Sequence, residues 1–389
     1  MSDRAKFAIR DRTTFMHPRF ATCCLVVLAV TSLACDKRPP DDQSDESKAT
    51  ASSTSDTEAE SEDTSQSKTD EASEDTPADN RAGRWKINDV HTHIGSTAYP
   101  IVEKIMKREK IFRVANMSGG SSPEEWNRQL RTPPELTNRV APYFTPEWSK
   151  ADDPDFGKKM ADKLEAAVER GYAGLKISKA LGLGAKNADG DLLDVDAAKL
   201  DPLWARAGEL GVPVTIHTGD PKAFFKKPGP DNERHEELKL APHWSAHGEK
   251  YPPRKELLAE RDRMIARHRE TTFVLAHMAN NPEDMEYVRK LLEQNPNVYV
   301  DTAARVAEFG RHPAEQIRQF FIDFQDRILF GSDLGVQARA RADQLFYSLF
   351  LGSISKEPPS LDDVPPFFDK HCQYFETDKK AVAHPIPIQ

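Results

Sequence analysis

From Trp85 onward the chain alternates short β-rich apolar runs with amphipathic stretches, and this rhythm constrains the fold more than any single motif. The runs are WKINDVHTH (85–93), IFRVANMS (111–118), RVAPYFT (139–145), YAGLKIS (172–178), VPVTIHTG (212–219), TTFVLAHMA (271–279), NVYVDTAA (297–304) and RILFGSD (327–333). Helix-like segments lie between them over 154–170, 201–210, 255–269, 282–294 and 313–323. Pro154, Pro202, Pro282 and Pro313 stand near the first turns, where the missing proline N–H costs no hydrogen bond. Gly171 and Gly211 directly precede strands, where a left-handed helix cap is expected. Eight such units in about 300 residues predict an α/β chain whose parallel βα units close into a (β/α)8 TIM barrel. An open doubly wound sheet is the alternative, but no glycine-rich phosphate loop follows the first run.

Such a barrel builds its active site at the C-terminal ends of its strands, and the ionisable residues fall there. The first run ends in His91-x-His93, and a strand sends residues two apart to one face. Lys176 lies in the fourth run, His217 in the fifth, His277 in the sixth and Asp333 ends the eighth. Singly, each has an ordinary reading: a hydrogen-bonded core histidine, a helix-capping aspartate, a lysine snorkelling from the rim. Together they do not, because burying that many polar groups without a shared ion costs several kcal/mol by rough estimate. Imidazoles with a carboxylate suit Zn²⁺ first, with Mn²⁺, Fe²⁺ or Ni²⁺ as alternatives. Arg305, just past the seventh run, is placed to clamp a substrate carboxylate or to pair with a loop acid. The long connection over 220–254 is expected to form a lid or wall, with Phe224 and Trp244 apolar and His235, His243 and His247 solvated.

The residues before 84 read differently. Arg4, Lys6, Arg10, Arg12 and Arg19 precede the apolar run ATCCLVVLAVTSLA (21–34), as in an export signal, and Met16 gives an alternative start. Cys35 resembles a bacterial lipidation site, although leucine stands at -2 rather than -3; Ser32-Leu33-Ala34 also suits ordinary cleavage. Residues 36–83 carry fifteen acidic and five basic side chains and almost nothing apolar, which predicts a disordered, extended linker. Of the net charge of -9, the remaining residues 84–389 carry only -2, so nothing points to nucleic acid. Only Cys372 among four cysteines lies in this last segment, which excludes an internal disulfide and a thiolate metal site. The expected organisation is a signal over 1–35, a linker over 36–83 and a catalytic domain over 84–389. The expected place is the bacterial cell envelope, lipid-anchored through Cys35 or free in the periplasm.

The motifs VPVTIHTG, FVLAHMA and RILFGSD, in this order and on these strands, resemble the amidohydrolase superfamily, in its amidohydrolase-related (amidohydrolase 2) branch. The resemblance covers roughly 85–335. It implies that His91, His93, His217 and Asp333 hold one divalent metal ion, with zinc preferred, and that His277 is catalytic beside it. It also implies a catalytic or electrostatic role for Lys176, or a second metal if Lys176 is carbamylated. A Tyr-x-x-Asn-Ala-like signature of the family's closing helix is absent, so the final helix is expected to be missing. The implied activity is a metal-dependent hydrolase acting through activated water on a C–N or C–O bond of a small amide, cyclic amide or lactone. In that scheme Asp333 takes the water proton and His277 holds the developing oxyanion. The competing expectations are a decarboxylase of a small unsaturated acid and, in a different class, a tethered binding protein without turnover. A homo-oligomer is compatible with all three.

Overall fold

The computed structural model describes residues 86–377 except 342 and 343, together with 379 and 382. The signal-like segment, the acidic linker and Cys35 lie outside the described residues. Ten strands form one sheet in the order β10-β9-β1-β2-β3-β4-β5-β6-β7-β8. The first eight are parallel neighbours in chain order: β1 Ile87–Ile94, β2 Ile111–Asn116, β3 Val140–Phe144, β4 Gly174–Ile177, β5 Val214–Ile216, β6 Phe273–Leu275, β7 Val298–Asp301 and β8 Ile328–Leu329. Helices follow the strands: α1 Tyr99–Arg108, α2 Pro123–Gln129, α3 Phe156–Glu169, α4 Asp201–Glu209, α5 Arg254–Arg267, α6 Met285–Gln294 and α7 Ala314–Asp323.

The helices form where their apolar residues recur at helical spacing. In α3, Phe156, Met160, Leu164, Ala167 and Val168 are buried, and in α6 Met285, Val288, Leu291 and Leu292. These faces pack on β4–β7 in a core that includes the fully buried Trp204 and Phe273, each such side chain contributing about 1.5–3 kcal/mol. Gly171 and Gly211 take φ of +108° and +65°, as the left-handed cap expectation requires.

Three differences from the sequence expectation matter. The strands stop earlier than the apolar runs that announced them: β6 ends at Leu275, β7 at Asp301, and β8 is two residues long. Among the described residues no ladder joins β8 to β1. Two backbone hydrogen bonds link the ends instead, from Val90 N–H to Phe330 O and from Asp333 N–H to His91 O, both 2.9 Å. Gly331 permits this approach, since a Cβ there would lie 2.9 Å from the His91 Cβ. Lastly, β8 is followed not by a helix but by an antiparallel hairpin, β9 Leu334–Arg341 and β10 Gln344–Leu351, with β9 parallel to β1.

A helix α8, Val364–Glu376, follows the hairpin. Its Phe367 and Phe368 join Leu334, Val336, Leu349 and Leu351 in a second core under β1. His371 on this helix is 1% exposed, packs at 4.5 Å (ring centroids) on Phe367, bonds Phe367 O through Nδ1 and has no partner at Nε2. Burial pushes it down to about 4. A group depressed in the folded state takes its proton more readily when unfolded, so stability present above pH 6.5 is lost as the pH falls toward 4. Between pH 7 and 5 the loss from this residue is about 2 kcal/mol. Urea unfolding of the native protein and of His371→Gln checks it: the variant's stability should fall less steeply over that range, and parallel pH curves would refute the assignment. Among the described residues no helix is long and apolar enough to cross a membrane.

Candidate metal centre

The end of β1 brings His91 and His93 to one side, as their spacing foresees. Their rings lie 5.5 Å apart, and both Nε2 atoms face Asp333, at 3.7 Å (His91) and 3.6 Å (His93) from its Oδ1. Asp333 sits at φ +62° immediately after the short eighth strand, its carboxylate turned back over β1. Two ligands about 2.1 Å from one ion at a tetrahedral angle stand roughly 3.4 Å apart, so these three atoms match a divalent cation's shell. Their mutual distances also place them in one of two groups, among the described residues, able to hold an ion; the other is His91, His277 and Asp301.

The ring nitrogens are assigned by their partners. His91 Nδ1 donates to Asp301 Oδ2 at 2.8 Å, both side chains fully buried, which turns the Nε2 lone pair into the cluster, where Lys176 Nζ lies 2.9 Å away. His93 Nδ1 lies 2.9 Å from Ser118 Oγ. Asn116 fixes this end of the sheet, because its side chain accepts from Ile94 N–H and donates to Ile94 O. Asp89, one turn of the pleat before His91, accepts the His91 and Ser332 backbone N–H groups and the Ser332 hydroxyl.

His277 opens a run of four residues, His277 to Asn280, with φ between +52° and +57°. Left-handed backbone costs roughly 1–2 kcal/mol per L-residue, so the turn needs clamps. Asp301 Oδ1 accepts His277 N–H at 2.7 Å, Arg261 binds Ala279 O at 2.6 Å, and Arg254 binds Asn280 O. His277 Nδ1 meets Ala303 O at 2.8 Å, and a carbonyl only accepts, so the proton is on Nδ1 and Nε2 carries the lone pair. The ring packs 4.8 Å from His91 and 4.5 Å from His217. As a neutral imidazole it accepts a proton or a metal; holding an oxyanion would require the imidazolium.

His217 is in the cluster through that ring contact, but its Nε2 bonds Asp220 Oδ1 at 3.2 Å, and it is not in either ion-sized group. Asp220 is in turn paired with Lys179 at 2.6 Å. Lys176 projects from β4 into the middle, its Nζ 2.9 Å from His91 Nε2. Arg305 is buried beyond the end of β7. Phe224 and Trp244 pack at 5.9 Å as the expected apolar wall, while His243 and His247 are exposed.

The charges are those of a site short of positive charge. Burial pushes Asp333 up to about 7, with Asp301 and Asp89 adding to the effect and Lys176 and Arg305 opposing it. Burial likewise raises Asp89 to about 7 and Asp301 to about 6, and lowers Lys176 to about 8. Burial first, then the neighbouring cations and imidazoles, hold His91 and His277 well below the usual histidine range, so both are neutral at pH 7. A divalent ion answers both demands, since it needs neutral imidazoles and lowers the carboxylates.

Sequence reasoning missed Asp301, Asp89, Asp220 and Asn116. Asp301 carried the same signal as Asp333, an acid closing an apolar strand; the other three hold ligands in place and had no such mark.

The amidohydrolase family model matches residues 147–364, more than half of the 389-residue chain. The match includes Lys176, His217, His277, Arg305 and Asp333 and begins after His91 and His93. No curated protein matches the sequence. Among solved structures, the chain is similar to a TIM-barrel protein from Bordetella bronchiseptica, at 16% identity over 64% of this chain and 85% of that one, TM-score 0.41. It is also similar to 2,6-dihydroxybenzoate decarboxylase from Rhizobium, at 14% identity over 63% and 87%, TM-score 0.38. A third is a zinc-bound amidohydrolase from Burkholderia multivorans, at 15% identity over 64% and 84%, TM-score 0.35.

Proposed function

The chain belongs to the amidohydrolase family, and on that premise we propose that it is a metal-dependent hydrolase of a C–N or C–O bond in a small amide, cyclic amide or lactone. The observation that carries the proposal is the convergence of His91 Nε2 and His93 Nε2 on Asp333 Oδ1 at 3.7 and 3.6 Å. A divalent ion held by these three, zinc by preference, supplies Lewis-acid polarisation of the substrate and acidification of water. His217 would be a fourth ligand once its Nε2, now bonded to Asp220 Oδ1, were free.

The chain's own groups do the rest. Asp333 takes a proton from the attacking water and returns it to the leaving group. Asp301 holds the His91 ring by its Nδ1 proton, so that Nε2 keeps its aim. His277, unprotonated at Nε2, acts as a proton acceptor facing the cleft. Lys176 contributes positive charge beside His91; pushed down to about 8, it also has the neutral fraction that carbamylation needs. A decarboxylase of a small acid is the second reading, favoured by the unpaired Arg305 described below; release of CO₂ from the turned-over acid would establish it in place of hydrolysis.

We propose in addition that the two hydrogen bonds between β1 and the segment after β8 are the seam of a (β/α)8 barrel, and that the enzyme works in the bacterial envelope on its N-terminal tether. Elemental analysis of purified, tag-free protein tests the central claim. About one equivalent of zinc or a related ion per chain is expected. Two equivalents would mean a carbamylated, bridging Lys176, and none would overturn the metalloenzyme.

A further inference from the structure

Arg305 is a buried guanidinium with almost nothing to bind. Its residue is 9% exposed, it donates through Nη1 to Ala304 O at 2.8 Å, and its buried Nε has no partner. Among the described residues no carboxylate lies within ion-pair distance of it. The acid best placed to neutralise it is Glu308, on the next turn. Both Glu308 oxygens are already taken, one by Arg234 and the other by Arg311. The alternative of a structural salt bridge to a loop acid is therefore closed off by the chain itself.

A buried cation without a counter-ion is costly, and no protein group is bonded at its Nε; the Nε–Nη2 edge is the one that grips a carboxylate through two parallel bonds. The location is right for substrate. Arg305 follows β7 four residues after Asp301, which bonds His91 Nδ1, and two after Ala303, whose carbonyl accepts from His277 Nδ1 at 2.8 Å. We infer that the substrate carries a carboxylate, held side-on by Nε and Nη2 of Arg305, away from the bond that reacts. The inference rests on the proposed enzyme only for placing a substrate in this cleft; the anion subsite itself needs no metal. Lysine offers a point charge rather than a fork and does not replace it fully.

Isothermal titration of the full chain with benzoate and with its neutral counterpart benzamide tests this, before and after metal removal. The native protein should bind benzoate at least tenfold more tightly than benzamide in both states. Arg305→Gln should lose that preference at unchanged metal content, and Arg305→Lys should keep part of it. Should Arg305→Gln fold poorly, Arg305→Lys still reports, since a full native preference there contradicts a bidentate grip. Equal benzoate binding by native protein and Arg305→Gln overturns the inference. So does a preference that vanishes in His93→Ala yet survives in Arg305→Gln, which would place the anion on the metal. A chain that takes up no metal but shows the Arg305-dependent preference would refute the metalloenzyme and leave the carboxylate subsite standing.

Discussion

An Asp301→Ala protein is expected to be about 3–6 kcal/mol less stable than the native chain and to hold its metal roughly ten- to hundredfold more weakly. This one carboxylate accepts His277 N–H at 2.7 Å, Ala303 N–H at 3.1 Å and His91 Nδ1 at 2.8 Å, all buried. Its loss strands three donors out of reach of water, at about 1–3 kcal/mol each before any relaxation. It also frees the His91 ring to rotate and releases the clamp on a left-handed turn that does not form unaided. Urea unfolding and a competitive metal chelator read the two effects separately. If both curves overlay those of the native protein, Asp301 is not the keystone its contacts make it.

Asp333→Asn is expected to behave in the opposite way with respect to folding. Among the described residues the Asp333 side chain makes no close hydrogen bond; the two imidazoles stand 3.6 and 3.7 Å from its Oδ1. Burial first, with Asp301 and Asp89 adding to it against Lys176 and Arg305, pushes its carboxyl up to about 7, so in metal-free protein the ionised form is a burden on the fold. The neutral amide should leave the metal-free protein at least as stable. Turnover should fall by about a thousandfold or more, since the proposed proton transfer and metal ligation would be lost together. Hydrolysis assays at saturating zinc, paired with thermal unfolding in chelator, check both halves. Activity within tenfold of native would remove Asp333 from the reaction.

Much of this site could be read before any coordinates, for a physical reason. Parallel strands with helices on the outside must be apolar along their length, so an ionisable residue at a strand end stands out: His91, His93, Lys176, His217, His277 and Asp333 all did. What hid was of two kinds. Asp89 and Asn116 bond Ser332 and Ile94, 243 and 22 residues away, and Asp220 pairs with Lys179, 41 residues away; a buried polar side chain with such partners has no local sequence mark. The left-handed turn at His277 was hidden as well, because LAHMAN contains no glycine to announce positive φ. Asp301 and the two arginines on α5 supply from elsewhere what the local sequence lacks. The hairpin after β8 was concealed by the regularity before it: seven βα units argue for an eighth helix, and the alternation of Leu334, Val336 and Ala338 argues for a strand only once that habit is set aside.

The hydrogen bonds from Ser332 to Asp89 span 243 residues of sequence. Bringing such distant segments together costs about 5 kcal/mol in chain entropy by the logarithmic rule for loops. A seam so remote forms late in folding, after the local βα units that it joins. On the ribosome, Asp333 also emerges last among the residues that face the ion. An ion bound as proposed, preferring the native chain, would hold these two ends together by mass action.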